Sequence, residues 1–378
     1  MADTDLFAPV ASDDELHPHF KALVSSRSHE PARDMLRRVW GFFPNPDPHF
    51  IREFQTAHFD ARIWELYIFA VGYFEGFTVT QPHPSPDFLF EREGFDGVWL
   101  EAVTANPSET RPATEPTPTI DDGRNHMRDI VPIRLGSPLY SKLKKKYWDL
   151  PHVVGKPFVI AIGDYSDDSP LRWSDAPLIR YLYGSDGRVV SSPGEVVEIE
   201  YTTVDKHVDG VKEIPSGFFN LPDAKNVSAI MFSNEGTIPK FKRMGFDPSR
   251  YPLLRMIRVG QCVDFDPRAT IPKAFGYLVG DVPEEWCHGA YVYHNPNATY
   301  PLPLEFFRKL GGQHWVANGH PRNELREFSP FSSITISYNQ GRLSDDPLRA
   351  YALEMAGELD EQMHRDAGLL AWRDLFIK

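Results

Sequence analysis

Two short apolar runs, each carrying one acid, constrain the fold of this chain most. The runs Asp87–Glu91 and Val98–Thr104 are rich in Phe, Leu, Val and Trp, and glycines separate them, which predicts a β-hairpin. With Gly94 at the centre of the turn, Asp87 and Glu101 lie opposite each other, because each is seven residues from that centre. The hairpin therefore predicts two carboxylates at one place.

Like charges on directly opposed residues destabilise a hairpin unless another group offsets them. A divalent cation such as Mg²⁺ offsets them well, because it binds oxygen ligands and is commonly held by one or two carboxylates plus a substrate phosphate. The alternative is a surface hairpin with Glu101 on a solvated face. Trp99 and Val103 share the face of Glu101 by two-residue alternation, which favours a buried and functional acid.

A third acid lies in a long apolar helix upstream of the hairpin. The segment Thr56–Phe77 has the length and apolar density of a buried helix, and from Ile63 to Phe74 its one charged residue is Glu65. A buried carboxylate must be paired, hydrogen-bonded or bound to a metal. The alternatives are that Glu65 reaches water at a helix edge or pairs with Arg62.

The order of these elements resembles that of the PD-(D/E)XK nuclease superfamily. A helix with Glu65, a strand opened by Asp87, a strand with Glu101, a helix, and the strand Lys156–Gly163 follow one another. The resemblance implies a restriction-endonuclease-like α/β fold and Mg²⁺-dependent, or Mn²⁺-dependent, phosphodiester hydrolysis. It also implies that Asp87 and Glu101 bind the metal and that Glu65 is the helix acid that some members add.

The motif departs from the family at its last position, where Val103 replaces the lysine that positions or activates the attacking water. A helix predicted over Ser137–Leu150 offers replacements, as in some divergent members. Lys142 is the first candidate and Lys145, one turn further along, is the second. The alternatives are a solvated lysine face and a lysine cluster that attracts a phosphate backbone without taking part in catalysis.

The chain of 378 residues is predicted to have three parts. These are an N-terminal helical arm over 1–55, a nuclease-like mixed sheet flanked by helices over 56–245, and a C-terminal extension of short strands and closing helices over 246–378. The closing helices are predicted over Asp346–Asp360 and Glu361–Ile377.

A proline-rich segment joins the strand of Glu101 to the lysine helix. Asn106–Thr119 carries four prolines and four threonines, so an extended loop is predicted, either a lid or a plain linker.

A net charge of −13 argues against indiscriminate nucleic-acid binding, because phosphate affinity depends on Lys and Arg contacts. It leaves room for a local basic groove, for which Lys142–Lys146 and Lys240–Arg243 are the candidates; the alternative for the latter is an ordinary solvated turn. DNA or RNA is the expected partner. The aromatic C-terminal extension is a candidate surface for a protein partner that supplies further affinity.

Several features predict a cytoplasmic protein. No apolar run reaches the length that spans a bilayer, and the first twenty residues are acidic rather than like a secretory signal. Two cysteines, Cys262 and Cys287, are too few for a disulfide framework and suggest a reducing compartment. Cys287 also lies near His288 and His294, but no fourth zinc ligand stands at a recognised spacing.

The resulting hypothesis is a metal-dependent nuclease that uses Glu65, Asp87, Glu101 and Lys142 or Lys145. The first alternative, supported by Val103, is a nuclease fold without catalysis that survives as a binding or scaffolding module. A glycosidase is a more distant alternative, because it would need its two carboxylates about 5 to 9.5 Å apart across a sugar-sized cleft.

Overall fold

Helices and strands alternate along most of the chain. The structure is a computed structural model that describes residues 5–44, 47–107, 126–165, 176–191, 195–317, 320–326, 328–338 and 344–369. The α-helices in these ranges are α1 Pro18–Ser25, α2 Glu30–Trp40, α3 Phe50–Gln55, α4 Phe59–Phe74, α5 Val131–Leu143, α6 Ala176–Tyr183, α7 Ile238–Gly245 and α8 Asp345–Leu369. The strands are β1 Thr78–Thr80, β2 Phe88–Glu91, β3 Val98–Ala105, β4 Phe158–Asp164, β5 Ser185–Val189, β6 Ile199–Thr203, β7 Lys206–Asp209, β8 Lys212–Pro215, β9 Ala229–Ser233, β10 Arg255–Cys262, β11 Lys273–Leu278, β12 Ala290–His294, β13 Gly312–Ala317, β14 His320–Leu325 and β15 Pro330–Tyr338.

A large mixed sheet organises the molecule. Its eight strands lie in the order β1-β2-β3-β4-β9-β12-β13-β14. The first three strands form an antiparallel meander, β3, β4 and β9 run parallel, and β12 returns antiparallel to β9. The predicted mixed α/β class with a central sheet flanked by helices is confirmed. The sheet takes its strands from both the predicted core, 56–245, and the predicted extension, 246–378.

The two faces of the sheet are covered by different helices, and the alternation of side chains along β3 shows which face is which. Leu100 and Ala102 pack in the same apolar cluster as α2, α3 and α4. Trp99 and Val103 point to the other face, in the cluster that contains α5 and α6. Glu101 lies between Trp99 and Val103 in the strand, so two-residue alternation turns it towards α5.

The position of α4 on the large sheet depends on a tryptophan. Trp64 is fully buried and its indole Nε1 donates a hydrogen bond to the carbonyl oxygen of Ala161 in β4, at 3.1 Å. The indole ring lies against Gly163 and Gly236, where a Cβ atom would come within 2.8 and 2.7 Å of ring carbons. Both positions must be glycine for the ring to lie there, because real Cβ atoms do not approach so closely.

The C-terminal part has a small sheet of its own. Strands β11, β10 and β15 pair in that order, and α8 packs on them through residues such as Leu348 and Ala352. The prediction of two closing helices that meet at Asp360 and Glu361 is wrong, because α8 runs through both positions without a break. No glycine or proline interrupts the chain between 358 and 366, so nothing there favours a helix end.

Two two-stranded ribbons, β5-β6 and β7-β8, lie outside the two larger sheets. Cys262 and Cys287 are buried free thiols. Within the described ranges, no helix has the length and the apolar character needed to cross a membrane.

Candidate active site

The hairpin brings Asp87 and Glu101 together in the register that its turn predicts. Phe88 pairs with Leu100, so the residue before β2 falls opposite Glu101. Asp87 Oδ2 accepts a hydrogen bond from the backbone N–H of Ala102 at 2.7 Å, which fixes its carboxylate beside β3. Gly94 lies at the centre of the turn with φ of 85°, a conformation that glycine adopts at little cost.

Glu101 has one satisfied oxygen and one unsatisfied oxygen. Its side chain is 5% exposed. Oε1 accepts hydrogen bonds from Lys142 Nζ and from the Tyr147 hydroxyl, both at 2.6 Å. Oε2 is buried and has no hydrogen-bond partner among the described residues. A buried polar atom left unpaired costs about 1–3 kcal/mol, and more when it carries charge, so Oε2 favours a cation or donor beside it.

Glu65 reaches the site from α4, where Arg62 holds it. Arg62 Nη1 lies 3.0 and 3.2 Å from the two carboxylate oxygens of Glu65. The same guanidinium also pairs with Glu53 and, at 2.5 Å, with Asp47. The pairing of Glu65 with Arg62 that the sequence left open is therefore present, but one guanidinium serves three carboxylates.

Burial and neighbouring carboxylates raise the pKa values of Asp87 and Glu65. Burial raises the pKa of Asp87 well above its usual range, and the nearby Glu101 and Glu65 carboxylates raise it further. Burial likewise raises the pKa of Glu65 to about 7, against the pull of Arg62, and Glu101 adds to the rise. These raised pKa values result first from burial and second from the crowding of like charges. Such shifts are concentrated at functional sites.

The lysine segment differs from its prediction in one respect. Helix α5 covers Val131–Leu143 rather than 137–150, because Lys146 takes a left-handed φ of 53° and turns the chain into a short 3-10 helix, Tyr147–Asp149. Lys142 remains on the helix, where it contacts Glu101. Lys145 lies beyond the helix end and is exposed.

Tyr147 was missed by the sequence analysis, which considered only lysines in this segment. The turn at Lys146 instead presents its hydroxyl to Glu101. Burial raises the pKa of Tyr147, and its hydrogen bond to the Glu101 carboxylate and the charge of that carboxylate raise it further, so the hydroxyl stays protonated and donates. A tyrosine five residues after a candidate lysine is a weak signal in a sequence.

A pair of stacked imidazoles lies beside the acids and was also missed. The rings of His83 and His152 are parallel within 12° with centroids 3.8 Å apart. His152 Nε2 is 2.9 Å from the carbonyl oxygen of Ser85, two residues before Asp87. Trp99 packs against His152 at 4.9 Å, and its buried indole Nε1 has no hydrogen-bond partner among the described residues. The two imidazoles thus contact Ser85 and Trp99, which lie two residues from Asp87 and from Glu101 in the chain.

Two groups of side chains differ in how closely their possible metal-binding atoms lie together. Among the described residues, one group of three His, Cys, Asp or Glu side chains has all its ligand atoms within 4.8 Å of one another, namely His17, His19 and Asp60. Glu65, Asp87 and Glu101 are spread more widely than that. Asp87 and Glu101 nevertheless suit a Mg²⁺ ion that keeps waters and needs only one or two carboxylates.

The second predicted basic segment lies inside the protein. The prediction of a nucleic-acid groove at Lys240–Arg243 is wrong, and so is the alternative of a solvated turn, because Lys240, Lys242 and Arg243 are at most 4% exposed. Helix α7 places Lys240 and Arg243 against Glu284, which is distant in sequence, and Lys242 against the hydroxyl of Ser337.

These residues belong to a buried set that we call the Glu235 network, consisting of Glu235, Lys240, Arg243, Arg258 and Glu284. Arg258 Nη2 lies 2.5 Å from Glu235, which also pairs with Arg243. Lys240 Nζ lies 2.7 Å from Glu284. The set joins α7 to the small C-terminal sheet through β10.

An aromatic groove lies elsewhere and contains no acid. Its volume is about 620 Å³, and its lining includes Tyr183, Tyr201, Phe219 and Trp315, from the surroundings of α6, β6 and β13. A glycosidase would need carboxylates in such a cleft. The groove therefore does not support the glycosidase alternative.

The proline-rich loop predicted over Asn106–Thr119 lies outside the described residues from 108 onwards. Asn106 itself is described, and its amide Nδ2 donates to Asp60 Oδ2 at 2.9 Å.

Comparison of the chain with protein-family models, with curated proteins and with solved structures gave no match.

Proposed function

We propose that this protein is a metal-dependent nuclease with a restriction-endonuclease-like core, in which Asp87 and Glu101 hold Mg²⁺ or Mn²⁺ and Glu65 supports them. Lys142 takes the place of the lysine that Val103 replaces. The substrate is a nucleic acid, DNA or RNA, whose phosphodiester bond is hydrolysed.

The topology supports this proposal. Helix α4, the antiparallel strands β1, β2 and β3, helix α5 and the strand β4 parallel to β3 follow one another in the order that the family's core requires. The acids stand at the positions that correspond to the family's motif. Fold alone does not establish function, so the argument depends on the site.

The observation that carries the proposal is the state of Glu101. One carboxylate oxygen is held by Lys142 and Tyr147, while the other is buried, unpartnered and next to a second carboxylate, Asp87. This geometry suits a cation that binds Oε2 of Glu101 and the Asp87 carboxylate, with waters and a phosphate oxygen as its other ligands.

Each residue then has a defined task. Asp87 and Glu101 position the ion, and Tyr147 orients Glu101 through its hydrogen bond. Lys142 brings an ammonium group to the site, where it stabilises the charge that develops on the phosphate. The exposed Lys144 and Lys145 attract the phosphate backbone. The bound ion supplies Lewis-acid polarisation of the scissile phosphate and lowers the pKa of its water.

The leading alternative is a binding or scaffolding module without catalysis. Two observations favour it, the valine at position 103 and the close ion pair between Lys142 and Glu101, which partly satisfies the acid without a metal. Both hypotheses use the same surface, so the test must separate metal binding from cleavage.

The test is Mn²⁺ titration by calorimetry, followed by cleavage assays on mixed DNA and RNA substrates. We expect the wild type to bind Mn²⁺ and to cleave, and Asp87→Asn combined with Glu101→Gln to lose both properties. Asp96→Asn is the matched control, since Asp96 is an exposed acid in the same hairpin. A wild type that binds neither Mn²⁺ nor Mg²⁺ would overturn the proposal. Metal binding without cleavage of any substrate would favour the binding module.

A further inference from the structure

Three metal-ligating side chains meet where the N-terminal arm contacts the core. His17 is the N-cap residue of α1, His19 lies in its first turn, and Asp60 lies in the first turn of α4. One ligand atom from each lies within 4.8 Å of the others, and His19 Nδ1 is 3.6 Å from Asp60 Oδ1. None of the three has a role in the proposed nuclease site.

The side chains are held in place by their neighbours. The His17 ring stacks on Phe59, parallel within 9° and with centroids 5.3 Å apart. The His19 ring meets the His17 ring edge to face at 5.0 Å. Asn106 donates to Oδ2 of Asp60, which leaves Oδ1 directed at His19. Partners of this kind, which hold the second oxygen of a ligating carboxylate, are typical of metal sites.

The donor set indicates the class of ion. Two imidazoles and one carboxylate suit Zn²⁺ and related transition metals, whereas Mg²⁺ and Ca²⁺ prefer oxygen ligands alone. Ligands at about 2.0–2.1 Å in a tetrahedron lie about 3.3 Å apart, close to the separation of His19 and Asp60. Nδ1 of His17 accepts a hydrogen bond from the backbone N–H of His19, at 3.3 Å, which orients the imidazole at the start of α1.

We propose that His17, His19 and Asp60 bind a divalent transition-metal ion of the Zn²⁺ class, with at least one coordination position left to water. The ion joins α1 to α4 and, through Asn106, to the end of β3. It therefore attaches the N-terminal arm to the two elements that carry Glu65 and Glu101. This site is separate from the carboxylate site and does not depend on the proposed nuclease activity.

The experiment is a Zn²⁺ titration of the full chain by calorimetry, after removal of metal by chelator and dialysis. We expect one Zn²⁺ per chain at this site in the wild type. Loss of an outer partner costs about 10–100-fold in metal affinity, so we expect Asn106→Leu to fall in that range and His19→Ala to fall by more than about 100-fold. His19 is 56% exposed, so its replacement leaves the fold intact.

Two controls separate this site from the rest of the molecule. His364→Ala removes another exposed histidine that lies beside a single carboxylate, Asp360, at 3.5 Å, and it should leave Zn²⁺ binding unchanged. Asp96→Asn, at an exposed acid of the β2–β3 hairpin, should also leave it unchanged. Equal Zn²⁺ affinity in the wild type and in His19→Ala would overturn the proposal, as would loss of binding in Asp96→Asn.

A thermal measurement gives a second readout. A ligand that binds only the folded state raises Tm in a concentration-dependent manner. The Tm of the wild type should rise with Zn²⁺ concentration, while the Tm of His19→Ala should not. A rise of the same size in both proteins would place the ion elsewhere and contradict the proposal.

Discussion

Two clusters of buried charge lie in this molecule, and they differ in how their charges balance. In the Glu235 network, two carboxylates meet two guanidiniums and one ammonium. In the candidate active site, the carboxylates of Glu65, Asp87 and Glu101 meet one ammonium and a guanidinium shared with other acids. The first cluster is complete without a ligand, and the second lacks positive charge.

The pKa values of the two clusters move in opposite directions for this reason. Burial alone would raise the pKa of Glu235, but Arg258, Arg243 and Lys240 together hold it below its usual range, and the same cations hold that of Glu284 well below it. In the active site, burial and like charges raise the pKa values of Asp87 and Glu65. Buried charge alone therefore does not distinguish the two clusters. They differ because the carboxylates of the Glu235 network are neutralised by nearby cations, whereas those of the candidate active site are neutralised only in part.

The largest effect is expected from breaking the Glu235 network. Glu235→Ala should lower the free energy of unfolding by about 3–5 kcal/mol, because it leaves the buried Arg243 and Arg258 with Glu284 as their one remaining carboxylate partner among the described residues. Urea denaturation measures it. Glu213→Ala is the control, since Glu213 is 55% exposed and paired with Lys206, and a pair of that kind is worth about 0–1 kcal/mol. Equal losses in the two variants would show that the network is not structural.

The next effect is expected in catalysis. Lys142→Met should lower the cleavage rate about 10²–10³-fold, because it removes the ammonium that stabilises developing negative charge. The change also removes the ammonium partner of the buried Glu101 carboxylate, so the free energy of unfolding should be measured beside the cleavage rate. Lys145→Met, at the exposed position beyond the helix, should leave the chemical step unchanged. Single-turnover cleavage at saturating metal distinguishes them, and a slow chemical step in Lys145→Met with a normal one in Lys142→Met would reverse the assignment.

The smallest effect is a pH dependence of opposite sign in the two clusters. The pKa of Glu65 is about 7 in the folded protein, above its usual 4.5, so the stability that it contributes is full below about pH 4.5 and is lost as the pH rises through 7. Glu235 and Glu284 behave in the opposite way, since their lowered pKa values give stability above pH 4.5 that is lost as the pH falls.

Glu65→Gln tests this prediction directly. The difference in unfolding free energy between the wild type and Glu65→Gln should shift against the wild type as the pH rises from 4.5 to 8, measured by urea denaturation without metal. Mn²⁺ added at pH 8 should recover stability in the wild type. Parallel curves for the two proteins across this range would mean that Glu65 titrates normally and that the site does not lack positive charge.

Local patterns in the sequence predicted the part of the site that depends on local geometry. The position of Gly94 predicted the register that places Asp87 opposite Glu101, because a hairpin register is set by its turn. The spacing of apolar residues predicted a helix that carries Lys142. The contact of Lys142 with Glu101 joins residues 41 positions apart and required the crossover from β3 through α5 to β4.

The errors concern properties that depend on distant parts of the chain. The segment Lys240–Arg243 has the composition of a solvated turn, and only the arrival of Glu284 and Arg258 from elsewhere makes it a buried element. The end of α5 depends on the left-handed residue Lys146, which no composition rule indicates. His17 and His19 on the arm lie 41 or more residues from Asp60 on α4, so the convergence of the three side chains is a product of tertiary packing.

The contact of Trp64 with Gly163 and Gly236 has a consequence for the residue that follows it. The contact of the Trp64 ring with the two glycines fixes the rotation of α4 about its own axis. Glu65 is the next residue on that helix, so the same contact determines the direction in which the Glu65 carboxylate points. A methyl group added at either glycine would displace the Trp64 ring, rotate α4 about its axis and move the Glu65 carboxylate away from Arg62. The orientation of the Glu65 side chain thus depends on the absence of a Cβ atom at Gly163 in β4 and at Gly236 in the loop after β9.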